Sequence, residues 1–225
     1  MAQLPLDLRL GDDYSFDNYL TGENKLLVAA ALDADDSAPI YLWGKPGSGK
    51  THFLHALLKS YIDSNQSVAL LSADNIDELD PSFCQGLEQC RLVCIDDIDE
   101  VSITDEWQNA VFHLFNRLKD NSVKLVCSAD RVPQQLDVLA DLQSRLASCL
   151  IFEQRELSDD EKMTALQSRA KTRGFELSDD VVSFLMSRVQ RDIHSLFGLL
   201  DQLDKHSLAK QRRLTVPFVR EVLFS

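Results

Sequence analysis

No stretch of this 225-residue sequence stays apolar for the roughly 18 residues that a membrane-crossing helix needs. Its first residues also lack the basic start and apolar core of a signal peptide. These absences predict a cytoplasmic protein with no membrane partner. Paired metal-binding cysteines are missing as well. Cys84, Cys90, Cys94, Cys127 and Cys149 never form C-x-x-C and mostly lie inside apolar runs, which predicts buried reduced thiols with neither a disulfide nor a cysteine-bound metal. Positive charge is scarce: 23 lysines and arginines face 36 aspartates and glutamates, and a net charge of −13 opposes binding to extended duplex DNA. The one basic cluster, Lys210-Gln211-Arg212-Arg213, is read as a solvated turn, so no direct sequence-specific DNA contact is expected.

What is present is enough apolar material, 44% of residues, for a core, at a length that fits one α/β domain with a small appendage. The chain is organised around Gly44-Lys45-Pro46-Gly47-Ser48-Gly49-Lys50-Thr51, a G-x-x-x-x-G-K-T stretch. Before it, Pro39-Ile40-Tyr41-Leu42-Trp43 reads as a buried strand; after it, Thr51 to Leu58 reads as a helix. The glycines let the turn aim backbone N–H groups inward at the positive end of the new helix, where they cradle phosphate oxygens. Lys50 is expected to reach the terminal phosphates and Thr51 to ligate Mg²⁺, while Gly44, Pro46, Gly47, Ser48, Gly49 and His52 complete the nucleotide contacts. A glycine-rich turn that binds nothing would have no packing use for the Lys-Thr pair at its close.

The other half of such a site belongs at the tip of another strand. Arg91-Leu92-Val93-Cys94-Ile95-Asp96-Asp97 is an apolar run closing on two acids, and a buried parallel strand delivers carboxylates at its C-terminal end. Asp96 is assigned to the metal and Asp97 to the attacking water, with Asp99 and Glu100 expected to be solvated. Val123 to Ser128 is a further strand, and Ser128 at its tip is placed to hydrogen-bond a γ-phosphate or that water. Upstream of the loop, Phe16, Asn18 and Tyr19 either form the wall for a nucleotide base or simply pack on the domain edge.

The remaining elements frame these groups. A helix is expected from about Glu23 to Leu32, a strand over Ser67 to Ser72, and a loop with a short helix over Ala73 to Glu88. Thr104 caps an amphipathic helix whose Trp107, Val111, Leu114, Phe115 and Leu118 face the sheet. A short helix, Asp141 to Leu146, precedes the last strand, Cys149 to Phe152. Its Arg145 is either a surface charge or a guanidinium offered to a neighbour's phosphate. From Glu156 the pattern is helical only. Glu-Leu-Ser-Asp-Asp opens helices at 156–160 and 176–180, with Ser158 and Glu161 forming a capping box. Further helices are expected from about Arg191 to Lys205 and, after Thr215-Val216-Pro217, to Leu223. The expected fold is a three-layer α/β P-loop domain with a parallel sheet over residues 13–155 and an all-α, four-helix lid over 156–225. In front, residues 1–12 place leucines at 4, 6, 8 and 10 around Pro5. This segment is read as extended, and either packs back on its own domain or is offered to a partner's groove.

P-loop, double-acid strand, polar strand tip, arginine-bearing helix and helical lid, in this order, resemble an AAA+ ATPase module. Tyr14-Ser15-Phe16-Asp17-Asn18-Tyr19, the Asp96-Asp97 pair and Ser128-Ala129-Asp130-Arg131-Val132-Pro133 are similar to the bacterial replication initiator DnaA over residues 14 to 225. DnaA carries a further helix-turn-helix domain for origin DNA, which is not expected here. Gln3-Leu4-Pro5-Leu6-Asp7-Leu8 resembles the short peptides with which replication proteins dock on the sliding clamp, with Gln3, Leu4, Leu6 and Leu8 as anchors. A DnaA-like module behind such a peptide looks like the Hda type of regulator. The resemblance implies docking on the sliding clamp, the beta subunit of DNA polymerase III, and stimulation of ATP hydrolysis by DnaA, which represses re-initiation. It also implies a resident ADP or other nucleoside diphosphate, with ATP and Mg²⁺ compatible, an Arg145 finger acting in trans, and at most weak ATPase activity of the chain itself. Self-association into a homo-oligomer is compatible with it. The lid position where this family usually holds a phosphate-contacting arginine corresponds to His194, and an imidazole is the poorer γ-phosphate sensor. Arg191, one turn earlier, is placed to compensate. The alternative is an AAA+ ATPase that loads a helicase.

Overall fold

A computed structural model describes residues 14–17, 19–22, 24–33, 36–188, 193–210 and 212–224. The chain divides into two compact units, residues 1–155 and 156–225. The first is built on five parallel strands, β1 (Ile40–Trp43), β2 (Val68–Ser72), β3 (Leu92–Asp96), β4 (Lys124–Ala129) and β5 (Leu150–Glu153), ordered β2-β3-β4-β1-β5. β3 and β4 are buried at every residue, as strands covered on both faces must be, which is why each reads as an apolar run rather than an alternation.

Among the described residues this unit has the α-helices α1 (Lys25–Leu32), α2 (Lys50–Asp63), the one-turn α3 (Ile98–Val101), α4 (Asp105–Asp120) and α5 (Ala140–Ala147). The two-residue period of the strands sorts their side chains between two cores. On one face Tyr41, Leu71, Val93, Ile95, Leu125 and Cys127 pack with Val111, Leu114 and Leu118 of α4 and Leu142 and Leu146 of α5. On the other, Ile40, Leu42, Leu70, Leu92, Cys94 and Val126 pack with α1 and with Phe53, Leu54, Leu57 and Leu58 of α2. Four of the five cysteines are buried and Cys90 is half-buried, in keeping with their apolar runs, and burial raises the pKa of every one of these thiols. Thr104 caps α4 as its sequence suggests, accepting from the Trp107 N–H at 3.3 Å.

The segment 73–89 departs from expectation. In place of a short α-helix it folds into three 3₁₀ turns, Ala73–Glu78, Pro81–Cys84 and Leu87–Gln89. Each is cut short by local chemistry. Asp80 accepts from the Ser82 N–H ahead of Pro81, and Gly86 takes φ 84°, so no stretch propagates an α-helical ladder.

The second unit contains α6 (Asp159–Thr172), α7 (Asp179–Arg188), α8 (Ile193–Lys210) and α9 (Val216–Phe224). Leu166, Val182, Leu185, Leu200, Leu203, Phe218 and Val219 form its core. Both arms of the Ser158–Glu161 capping box are made, at 2.8 and 3.3 Å. Lys210 and Arg212 are exposed, but both pair with Glu221, at 2.6 and 2.9 Å, so this basic cluster is tied to α9 rather than merely solvated.

Candidate functional site

The turn between β1 and α2 is shaped by its glycines. Gly49, the N-cap of α2, holds φ 98°, and Gly47 holds φ 79°, conformations that strain any L side chain. Gly44 is required by proximity, since a Cβ there would lie 2.4 Å from the Gln154 carbonyl oxygen. Lys50 opens α2 and is only 6% exposed, its Nζ donating to Gly44 O at 2.9 Å and to Asp130 Oδ1 at 2.7 Å. An ammonium taken this far out of water needs a carboxylate, and Asp130 supplies it. Ser48 is buried and its hydroxyl has no hydrogen-bond partner. An orphaned hydroxyl, a helix N-terminus and a desolvated lysine in one glycine turn fit a phosphate group.

β4 lies between β1 and β3, so its tip separates the turn from the two acids. Ser128, fully buried there, donates through Oγ to Asp96 Oδ1 at 2.5 Å and accepts from the Asp97 N–H at 2.8 Å. Ser128, expected to hydrogen-bond a γ-phosphate or the attacking water, is engaged through its hydroxyl with the acid pair. Asp130, two residues on and just past β4, instead reaches the Lys50 ammonium at 2.7 Å. Asp97 sits in the left-handed region at φ 50°, which aspartate tolerates. Burial first, then the neighbouring Asp96, push its carboxyl up to about 6, with Lys50 opposing. Asp99 is not solvated as expected, because α3 turns it inward. One carboxylate oxygen accepts weakly from the Asp130 N–H at 3.4 Å, and the other is buried without a partner. Glu100 is exposed, as expected.

Among the described residues no cluster of three or more histidine, cysteine or acidic side chains is suited to hold a metal alone. Asp96, 3% exposed at the end of β3, and Thr51, the second residue of α2, offer the carboxylate and hydroxyl oxygens that Mg²⁺ takes beside substrate phosphates.

Tyr19, 7% exposed, packs edge-on to Phe16 at 5.9 Å and to His52 at 5.4 Å, and leans on Phe53 at 5.6 Å. Its phenol donates to Gln154 Oε1 at 2.9 Å, and burial raises its pKa to about 12. Tyr19 thus belongs to the core beside α2, while the half-buried Phe16 and His52 and the ring of Tyr14 border it. Arg145 is not gathered with these groups. Its helix packs on the face of the sheet opposite α2, and its guanidinium lies 5.8 Å from the Phe112 ring. Gln3, Leu4, Leu6, Leu8, Asn18 and Arg191 lie outside the described residues, as does the side chain of His194, whose backbone is in α8.

Sequence reasoning missed Asp130 and Gln154. A signal for Asp130 exists, since a buried P-loop lysine calls for a nearby carboxylate. None exists for Gln154, because only the fold brings residue 154 against residue 48.

Residues 10–153 match the family model described as the bacterial DnaA ATPase domain, and residues 159–223 match the model of the Hda lid domain. Among solved structures, domain III of the Thermotoga maritima replication initiation protein DnaA superimposes with a TM-score of 0.81 at 22% identity, over 94% of this chain and 96% of that one. AMPPCP-bound DnaA from Aquifex aeolicus gives 0.73 at 23% identity, over 90% and 71%. Thermotoga maritima RuvB gives 0.69 at 17%, over 93% and 71%. These likenesses show that the chain shares the fold of these proteins.

Proposed function

The chain belongs to the bacterial DnaA ATPase family, with a lid of the Hda type, and we propose that it is a nucleotide-binding regulator of replication initiation rather than a turnover enzyme. Docked through Gln3, Leu4, Leu6 and Leu8 on the DNA polymerase sliding clamp, it stimulates ATP hydrolysis by DnaA and so represses re-initiation. The observation that carries this reading is the tandem of a DnaA ATPase domain and an Hda lid in one chain. The resident ligand is ADP, with Mg²⁺ held by Thr51 and Asp96. Lys50 then exchanges Asp130 for phosphate oxygens, and the N–H groups of the glycine turn hold the phosphate in place.

Arg145 acts on a neighbour's nucleotide. Its placement on the sheet face away from α2 supports a role in trans. A planar guanidinium there stabilises negative charge developing on a transferred phosphoryl group. The test is capture by immobilised clamp and, separately, by ATP-bound DnaA. Retention by both supports the reading, whereas binding to neither, together with autonomous ATP turnover, favours a helicase loader.

A further inference from the structure

Gln154, just past β5, is 2% exposed and makes hydrogen bonds from both ends of its amide. Oε1 accepts from the Tyr19 hydroxyl at 2.9 Å, and Nε2 donates to the Ser48 carbonyl at 3.2 Å. Its backbone N–H holds Trp43 O at 2.6 Å, and its backbone carbonyl oxygen lies 2.4 Å from where a Cβ on Gly44 would be. One residue therefore braces the P-loop at Trp43, Gly44 and Ser48.

The Ser48 contact has a geometric consequence. A trans peptide is planar, with its C=O and the following N–H pointing in opposite directions. Anchoring Ser48 O on Gln154 therefore turns the Gly49 N–H away from Gln154. Gly49 is the N-cap of α2 at φ 98° and tolerates either orientation of that peptide, so the loop's own sequence does not fix it. Deletion of the amide would also remove the side-chain donor that Gln154 supplies to the Ser48 carbonyl.

We infer that Gln154 is a positioning residue for phosphate binding: its amide sets the Ser48–Gly49 peptide so that the loop presents its N–H groups to the terminal phosphate of a nucleotide. Tyr19 holds that amide in turn, so the aromatic segment ahead of α1 and the phosphate cradle share one buried relay. This inference rests on the nucleotide-site reading above.

The experiment measures calorimetric affinities for ADP and AMP in the full chain, for the parent and for Gln154→Met, Gln154→Glu and Tyr19→Phe. Methionine keeps the length and loses both hydrogen bonds. Glutamate can still accept from Tyr19, but as a carboxylate it cannot donate to Ser48 O. Both variants should lower ADP affinity about ten-fold or more with little change for AMP, so that the ADP-to-AMP affinity ratio collapses. Tyr19→Phe keeps the ring packing and should reduce the ratio by about three-fold. A merely structural role for Gln154 would weaken ADP and AMP alike. Unchanged ratios in both Gln154 variants, with the parent binding ADP, overturn the inference and leave the site intact. Failure of the parent itself to bind ADP overturns the site reading instead.

Discussion

Lys50 and Asp97 carry opposite electrostatic burdens in the same small volume. Lys50 is desolvated and held by Asp130, so nucleotide binding exchanges one anionic partner for another rather than creating a charge pair from nothing. Lys50→Ala should abolish ADP binding measurable by calorimetry, and unchanged affinity would remove the phosphate site from consideration. Asp97 is raised from its ordinary 3.8 to about 6, so between these values the folded chain holds a proton that the unfolded chain has lost. Stability therefore falls as pH rises through that interval, and the penalty is complete above it. Asp97→Asn removes the penalty without straining the left-handed backbone. In the nucleotide-free protein it should add roughly 1–3 kcal/mol at pH 7.5 and almost nothing near pH 4, read from denaturant melts at both values. Equal gains at both pH values would show that Asp97 does not titrate in this range. The glycine turn and the acid-terminated strand that carry Lys50, Thr51 and Asp96 were legible in the sequence because both are local patterns. The hydrogen bonds of Ser128 were not legible, since its hydroxyl is engaged by groups 31 and 32 residues away, contacts that no local pattern encodes.

The sheet was legible strand by strand, because buried parallel strands write themselves as apolar runs, and α4 and α6 because their caps and periodicities agree. What escaped was α3, a single turn too short to show a period, and the 3₁₀ turns after β2, whose Asp, Pro and Gly residues suggested only that helix would be brief. The strand order was not legible from composition either, yet it decides the site by inserting β4 between the glycine turn and the acids. The leucine-bearing front segment is an element of another kind, proposed to work as a bound peptide rather than as part of the core. Deleting residues 1–10 should abolish clamp capture in a pulldown while moving the melting temperature by no more than about 1 °C. A large drop in melting temperature would place those leucines in the domain's own packing instead.

At the scale of the whole molecule, a chain with a net charge of −13 has little attraction for DNA phosphates of its own, so its proposed route to DNA is through proteins. In the proposed account the glycine turn between β1 and α2 is the chain's own nucleotide site, while α5, packed on the sheet face opposite α2, carries the Arg145 that acts on a neighbour. The most direct measurement is ATP hydrolysis by DnaA in the presence of clamp loaded on DNA, with no addition, with the parent chain, and with Arg145→Ala or Arg145→Lys variants that still bind clamp and ADP. The parent should accelerate hydrolysis strongly. Both variants should lose most of that stimulation, approaching the factor of about 10³ to 10⁵ that arginine fingers supply, because a lysine point charge does not reproduce the guanidinium fork. Hydrolysis by DnaA that is the same with and without the parent chain would contradict the regulatory account, and full stimulation by Arg145→Ala would contradict the role given to Arg145.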